Sequence, residues 1–125
     1  MSIESAVVFD YNMNPIHWHL PLGRSSSHIP DSADLWSLLF QNRDILYGVA
    51  HSHPGRGSPL PSWTDITTFS ACELGIGKRI LWPIITEDMV SFFMWLGPNK
   101  YDYNRVFCPD RELLWIDKLR QYSYK

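Results

Sequence analysis

The sequence predicts a mixed α/β or α+β layer protein. Three observations lead there: apolar runs of strand length recur along the chain, three stretches carry apolar residues at helical spacing, and Gly- and Pro-rich segments separate them. Residues 6–10 (AVVFD) read as a strand and residues 16–20 (IHWHL) as a second, with Asn12, Asn14 and Pro15 supplying the turn between them. Residues 21–30 read as loop. Asp31 or Ser32 then caps a helix running to about residue 42, whose Leu35, Leu38 and Leu39 form one apolar stripe. The run 45–50 (ILYGVA) is a buried strand that delivers the chain into His51. Residues 54–61 hold three Pro and two Gly in eight positions and read as loop.

Ser62 opens a second helix towards about residue 74, stopped by Gly75 and Gly77. Two strands follow, about 79–86 and 89–96, joined by Glu87 and Asp88 as a tight hairpin. Pro83 marks the first of them as an edge strand or a bulge, because proline has no N–H for a ladder. Residues 97–109 read as irregular. A terminal helix, about 110–121, presents Leu113, Leu114, Ile116 and Leu119 as its apolar side, with Asp110 near its start.

A chain of 125 residues without internal repeat or linker is expected to form a single domain, 1–125. Hydrophobic residues at 45% and charged residues at 19% are ordinary for a soluble protein, while 14% aromatics, six of them Trp, make it ring-rich. Eleven Lys and Arg against thirteen Asp and Glu leave a formal charge of −2, so the basic field that nucleic-acid binding needs is missing. The longest apolar run, 90–96, is strand-sized and excludes a membrane span. Cys72 and Cys108 form no C-x-x-C pattern, and the N-terminus has no signal-peptide character, which points to a cytoplasmic setting.

The chemistry concentrates in residues 51–65, HSHPGRGSPLPSWTD. His51 and His53 are two apart at the end of a strand, so their side chains share one face and can meet one ion. The loop then returns to a helix start where Asp65 sits in the first turn. Two imidazoles and one carboxylate suit Zn²⁺ and leave a fourth tetrahedral position open, the mark of a catalytic site rather than a structural one. Water on such a zinc loses a proton near a pKa of about 7, and a general base must collect it. Glu4, immediately ahead of the first strand and the only Glu upstream of the segment, is the candidate. The Ser62 hydroxyl is the candidate donor to a tetrahedral oxyanion.

An upstream Glu, then H-x-H-P, then P-S-x-x-D resembles the JAMM (MPN-plus) metalloprotease family, over about residues 4–96. The resemblance implies a mixed, curved β-sheet flanked by helices, as in JAMM/MPN and cytidine-deaminase-like proteins. It implies His51, His53 and Asp65 as zinc ligands, Ser62 as stabiliser of the tetrahedral intermediate and Glu4 as acid/base. It also implies hydrolysis of an amide or isopeptide bond at the C-terminal tail of a ubiquitin-like or sulfur-carrier protein. That tail is expected to lie as an added strand along a sheet edge, with residues 21–30 and 97–106 as walls of the groove. The chain departs from the family in having eleven residues, 54 through 64, between the second His and the Asp, where ten are usual. One more residue in a Gly/Pro loop costs little, so the ligand geometry is expected to survive. Family members also carry a helix ahead of the Glu strand, whereas here only three residues precede Glu4. The insertions that grip ubiquitin in the eukaryotic enzymes also have no room here, so a compact prokaryotic-type member is the better comparison. The sheet face left without the front helix could be covered by a second copy, making a homodimer.

Other residues have plainer expectations. His17 and His19 form a second H-x-H without a nearby carboxylate and read as ordinary strand residues. Ser62 and Asp65 also spell a helix cap, which does not exclude ligation by Asp65. Trp63 reads equally as groove lining or core, and Cys72 as buried and inert. A catalytically silent MPN-type scaffold is the alternative from another class, and a RadC-like, DNA-repair-associated protein a third; the intact ligand set weighs against the former and the acidic balance against the latter.

Overall fold

The computed structural model describes residues 2–27, 29–30 and 33–124. It holds six strands and three helices in the order β1 (Ala6–Asp10), β2 (Pro15–His19), α1 (Ala33–Gln41), β3 (Leu46–Ser52), α2 (Trp63–Ile76), β4 (Trp82–Ile85), β5 (Val90–Trp95), β6 (Tyr103–Val106) and α3 (Ile116–Ser123). The strands form one mixed, open sheet in the order β2-β1-β3-β4-β5-β6. Only β3 and β4 run parallel, connected through α2; the remaining neighbours are antiparallel.

The alternation of side chains in β1 shows how the sheet is clad. Val8 faces one core with Leu39 of α1 and Phe69, Cys72 and Ile76 of α2. Val7 and Phe9 face the other, with Trp115 and Leu119. Helices thus cover both faces of a sheet whose central strands are apolar on each side, and the face expected to lie open for a second copy is covered by α3. Among the described residues, no helix is long and apolar enough to cross a membrane. The candidate caps Asp31 and Ser32 lie outside the described residues.

Three expectations are corrected. Pro83 does not mark an edge: β4 is central, paired to β3 on one side and β5 on the other. The missing proline N–H shows instead as a break in the parallel ladder. An isolated Gly48–Leu81 bridge lies before Pro83, and the His51–Ile84 and Ser52–Ile85 pairs lie after it. Residues 97–109 are not wholly irregular, because 103–106 add β6 to the sheet. Its Asn104 and Arg105 are exposed, so this edge strand lacks the apolar alternation by which strands are read. The terminal helix starts at Ile116 rather than near Asp110, and the residue before it, Trp115, is fully buried. Trp115 stacks on Phe9 at 5.1 Å, anchoring the segment through its ring, while Leu114 is left exposed.

Candidate metal centre

Two strand ends and one helix start build the site. In β3, Val49 packs against the core that holds α1 and α2, so His51 and His53, two and four residues on, point towards the same side. His51 is buried and meets the Phe69 ring of α2 edge-on at 6.0 Å. The His53 peptide is fixed just past the strand. Its N–H donates to Ile85 O of β4 at 2.9 Å, and its carbonyl accepts from the Tyr124 hydroxyl at 2.6 Å. The Tyr124 phenol is pushed up by burial and remains a hydroxyl donor.

Asp65 arrives through a capping box. The Ser62 hydroxyl accepts the Asp65 N–H at 3.0 Å, and the Asp65 carboxylate accepts the Ser62 N–H at 2.9 Å. The same carboxylate reaches both rings, with Oδ2 at 2.9 Å from His53 Nε2 and Oδ1 at 3.3 Å from His51 Nε2. Cap and candidate ligand are therefore one arrangement: the Ser62 N–H orients the carboxylate that faces the imidazoles.

The two Nε2 atoms stand 3.1 Å apart, so at most one of them carries a proton on the line between them. Donors bound about 2.0–2.1 Å from a tetrahedral zinc are separated by roughly 3.3 Å, and the three spacings here, 3.1, 2.9 and 3.3 Å, are close to that figure. The donor set and its spacing fit a divalent ion with a preference for nitrogen and oxygen. The electrostatics agree. Burial raises the Asp65 carboxyl, but hydrogen bonds from His51 and His53, the charge of His51 and the Ser62 N–H outweigh it and hold the group far below its ordinary value. Burial lowers His53, yet its hydrogen bond to Asp65 and the charges of Asp65 and Glu4 leave it raised. The Asp65 carboxylate thus faces the imidazoles as an anion, the state in which a carboxylate can act as a ligand.

Glu4 is brought to the same place by sheet register. Ala6 pairs with His51, so continuing the antiparallel register sets Glu4 opposite His53 on the same face. Backbone bonds hold it there: Ile3 N–H to Ser123 O at 2.8 Å, Glu4 N–H to Ser25 O at 2.7 Å and Ser5 N–H to the Ser52 hydroxyl at 2.9 Å. The segment carrying Glu4 is thus anchored by the end of α3. Glu4, His51, His53, Ser62 and Asp65 all line one cleft of about 670 Å³.

The longer loop is tied down as well. Gly57 N–H donates to Asp88 at 2.8 Å, Glu87 N–H to Gly55 O at 3.0 Å, and Arg105 of β6 to the Ser58 hydroxyl at 2.9 Å. It is fastened across the β4–β5 turn, and the three candidate ligands converge despite the added residue.

The walls differ in part from expectation. Ser26, Ser27 and Ile29 border the cleft as expected for the 21–30 loop, but residues 97–106 do not; Leu35 and Leu39 of α1 do. Trp63 is not core: it is 64% exposed and packs edge-on against Tyr101 at 4.9 Å. Cys72 is buried as expected, with the cleft reaching it.

His19 is a strand residue as expected, and it also borders the cleft. It pairs with Ala6 on the side opposite His51 and donates from Nε2 to Pro30 O at 2.8 Å. Its H-x-H spacing was the available signal, but the row His19–Ala6–His51 exists only once three strands pair. Tyr124 had no local signal. No protein-family model matches the chain, and no curated protein is significantly similar to it.

Proposed function

We propose that the chain is a zinc-dependent amide hydrolase of JAMM/MPN type. On this reading it cuts a peptide or isopeptide bond at the C-terminal tail of a ubiquitin-like or sulfur-carrier protein, in the cytoplasm. The observation that supports it best is the convergence of the His51 and His53 Nε2 atoms with the Asp65 carboxylate, in a cleft also lined by Glu4 and Ser62. A scaffold has no physical need for an open set of metal donors beside an acid and a hydroxyl.

Each residue has a task. His51, His53 and Asp65 hold the ion. An ion held by these three residues would supply Lewis-acid polarisation of a carbonyl and would lower the pKa of water to about 7. Glu4, opposite His53, takes the proton from the attacking water and delivers it to the leaving nitrogen. The Ser62 oxygen already accepts the Asp65 N–H, so its own O–H remains to donate to the developing oxyanion.

Metal analysis of the purified protein tests the first half: about one zinc per chain, released by a chelator, is expected. Cleavage of a ubiquitin-like carrier fused through its C-terminus to a reporter tests the second. Glu4→Gln should keep its zinc and lose about 10²–10⁴ in kcat. A chain that binds no zinc, or a Glu4→Gln variant as active as the parent, would overturn the reading.

A further inference from the structure

The His53 peptide lies where the β3 ladder has run out. Pro54 follows it, restricting His53 to extended backbone but offering no N–H of its own. The next N–H of the parallel ladder, that of Glu87, goes to Gly55 O at 3.0 Å instead of to the His53 carbonyl. The Tyr124 hydroxyl holds that carbonyl, from 71 positions away in sequence, at 2.6 Å, and it also lies 3.2 Å from Ile85 O. Tyr124 is the C-terminal cap of α3, and its backbone forms an antiparallel bridge with Ser2, two residues ahead of Glu4. Next to it, Ser123 O accepts the Ile3 N–H. One residue thus touches both halves of the site: its side chain grips the peptide of a candidate ligand, and its main chain grips the segment bearing the candidate base.

We propose that Tyr124 is a positioning residue for the metal centre, its hydroxyl fixing where His53 presents Nε2 and its backbone fixing Glu4 against that ligand. The proposal rests on the zinc reading of His51, His53 and Asp65. A hydrogen bond to a backbone carbonyl acts on the ring only through the rotation of one residue. Its loss lets the His53 peptide turn, and the imidazole follows. Outer partners of metal ligands commonly contribute ten- to a hundred-fold in affinity, and the effect here belongs at the lower end because the contact is to backbone.

Tyr124→Phe isolates the hydroxyl, since it keeps the ring and the bridge to Ser2. Zinc affinity is measured by competition with a chromophoric chelator, and ligand geometry by the visible absorption of the cobalt(II)-substituted protein. Expected are a loss of about ten-fold in zinc affinity and a change in the cobalt spectrum. Replacing Tyr124 by 4-aminophenylalanine, which restores a donor at the same place, should recover both. Unchanged zinc affinity and cobalt spectrum in a Tyr124→Phe protein would overturn the proposal even if its metal-free form melts lower, because the hydroxyl would then serve only the fold. Failure of the amino variant to recover affinity lost in Tyr124→Phe would overturn it too. Failure of the parent protein to bind zinc would instead overturn the functional reading.

Discussion

Gly48 has no room for a side chain. A Cβ there would stand 2.3 Å from Leu81 O and 2.6 Å from the Phe9 ring, at the point where β3 and β4 bridge ahead of Pro83. Gly48→Ala should therefore destabilise the protein by about 3 kcal/mol or more, read as a lower midpoint in urea. Glu73 is a second residue on which the fold depends. Its buried carboxylate accepts from Ile80 N–H at 2.9 Å, Trp82 Nε1 at 3.0 Å, Arg79 at 3.0 Å and the Tyr103 hydroxyl. Every neighbour is a donor, so Glu73→Gln turns an amide N–H₂ towards other donors and should cost about 2–3 kcal/mol. Glu73 does not line the cleft of the candidate centre, and zinc affinity in that variant is expected to match the parent. At this scale the grouping of His51, His53 and Asp65 was legible because a candidate ligand set needs particular residue types at short separations. Glu73 was not: nothing in its surroundings along the chain says that four donors, two from the segment after α2 and one each from β4 and β6, will close on it.

Helix α2 carries two jobs at its first turn, and they can be separated. Ser62→Ala removes the hydroxyl that accepts the Asp65 N–H, costing about 1 kcal/mol of cap energy. It leaves the Ser62 N–H, which orients the Asp65 carboxylate, because that group belongs to the backbone. The expected variant binds zinc nearly as well as the parent, melts a few degrees lower, and loses about 10²–10³ in kcat through the missing oxyanion donor. A Ser62→Ala enzyme with unchanged kcat would remove Ser62 from the chemistry and leave it as a cap alone. The elements were legible where burial imposes an unbroken apolar run, as in β1, or a helical period, as in α1, or where capping chemistry is local, as at Ser62 and Gly77. Gly77 ends α2 in the left-handed conformation, φ 77°, one residue beyond Ile76, while Gly75 is carried inside the helix. Signals that depend on a neighbour failed. Pro83 is tolerated in a central strand because the parallel ladder breaks around it, and β6 joins the sheet with an exposed, polar middle.

Across the whole molecule, the candidate centre joins the end of one strand to the start of a helix that follows eleven residues later. His51 and His53 come from the end of β3, Asp65 from the start of α2, and the intervening loop is fastened to the β4–β5 turn rather than to either. The unfolded chain has no such convergence, so an ion that binds only the native form stabilises it by mass action, by about 2.7 kcal/mol at a hundred times its dissociation constant. For a chain of 125 residues this corresponds to a rise of roughly 10 °C in Tm. Thermal unfolding with and without a chelator should show that gap in the parent. It should vanish in His53→Ala, whose Tm is expected to be the same with zinc or without. A parent protein whose Tm ignores zinc has no native-specific site at all. If zinc raises the Tm of His53→Ala as much as the parent's, the ion sits elsewhere, since removing one of three donors from an open site leaves too few to hold it against water.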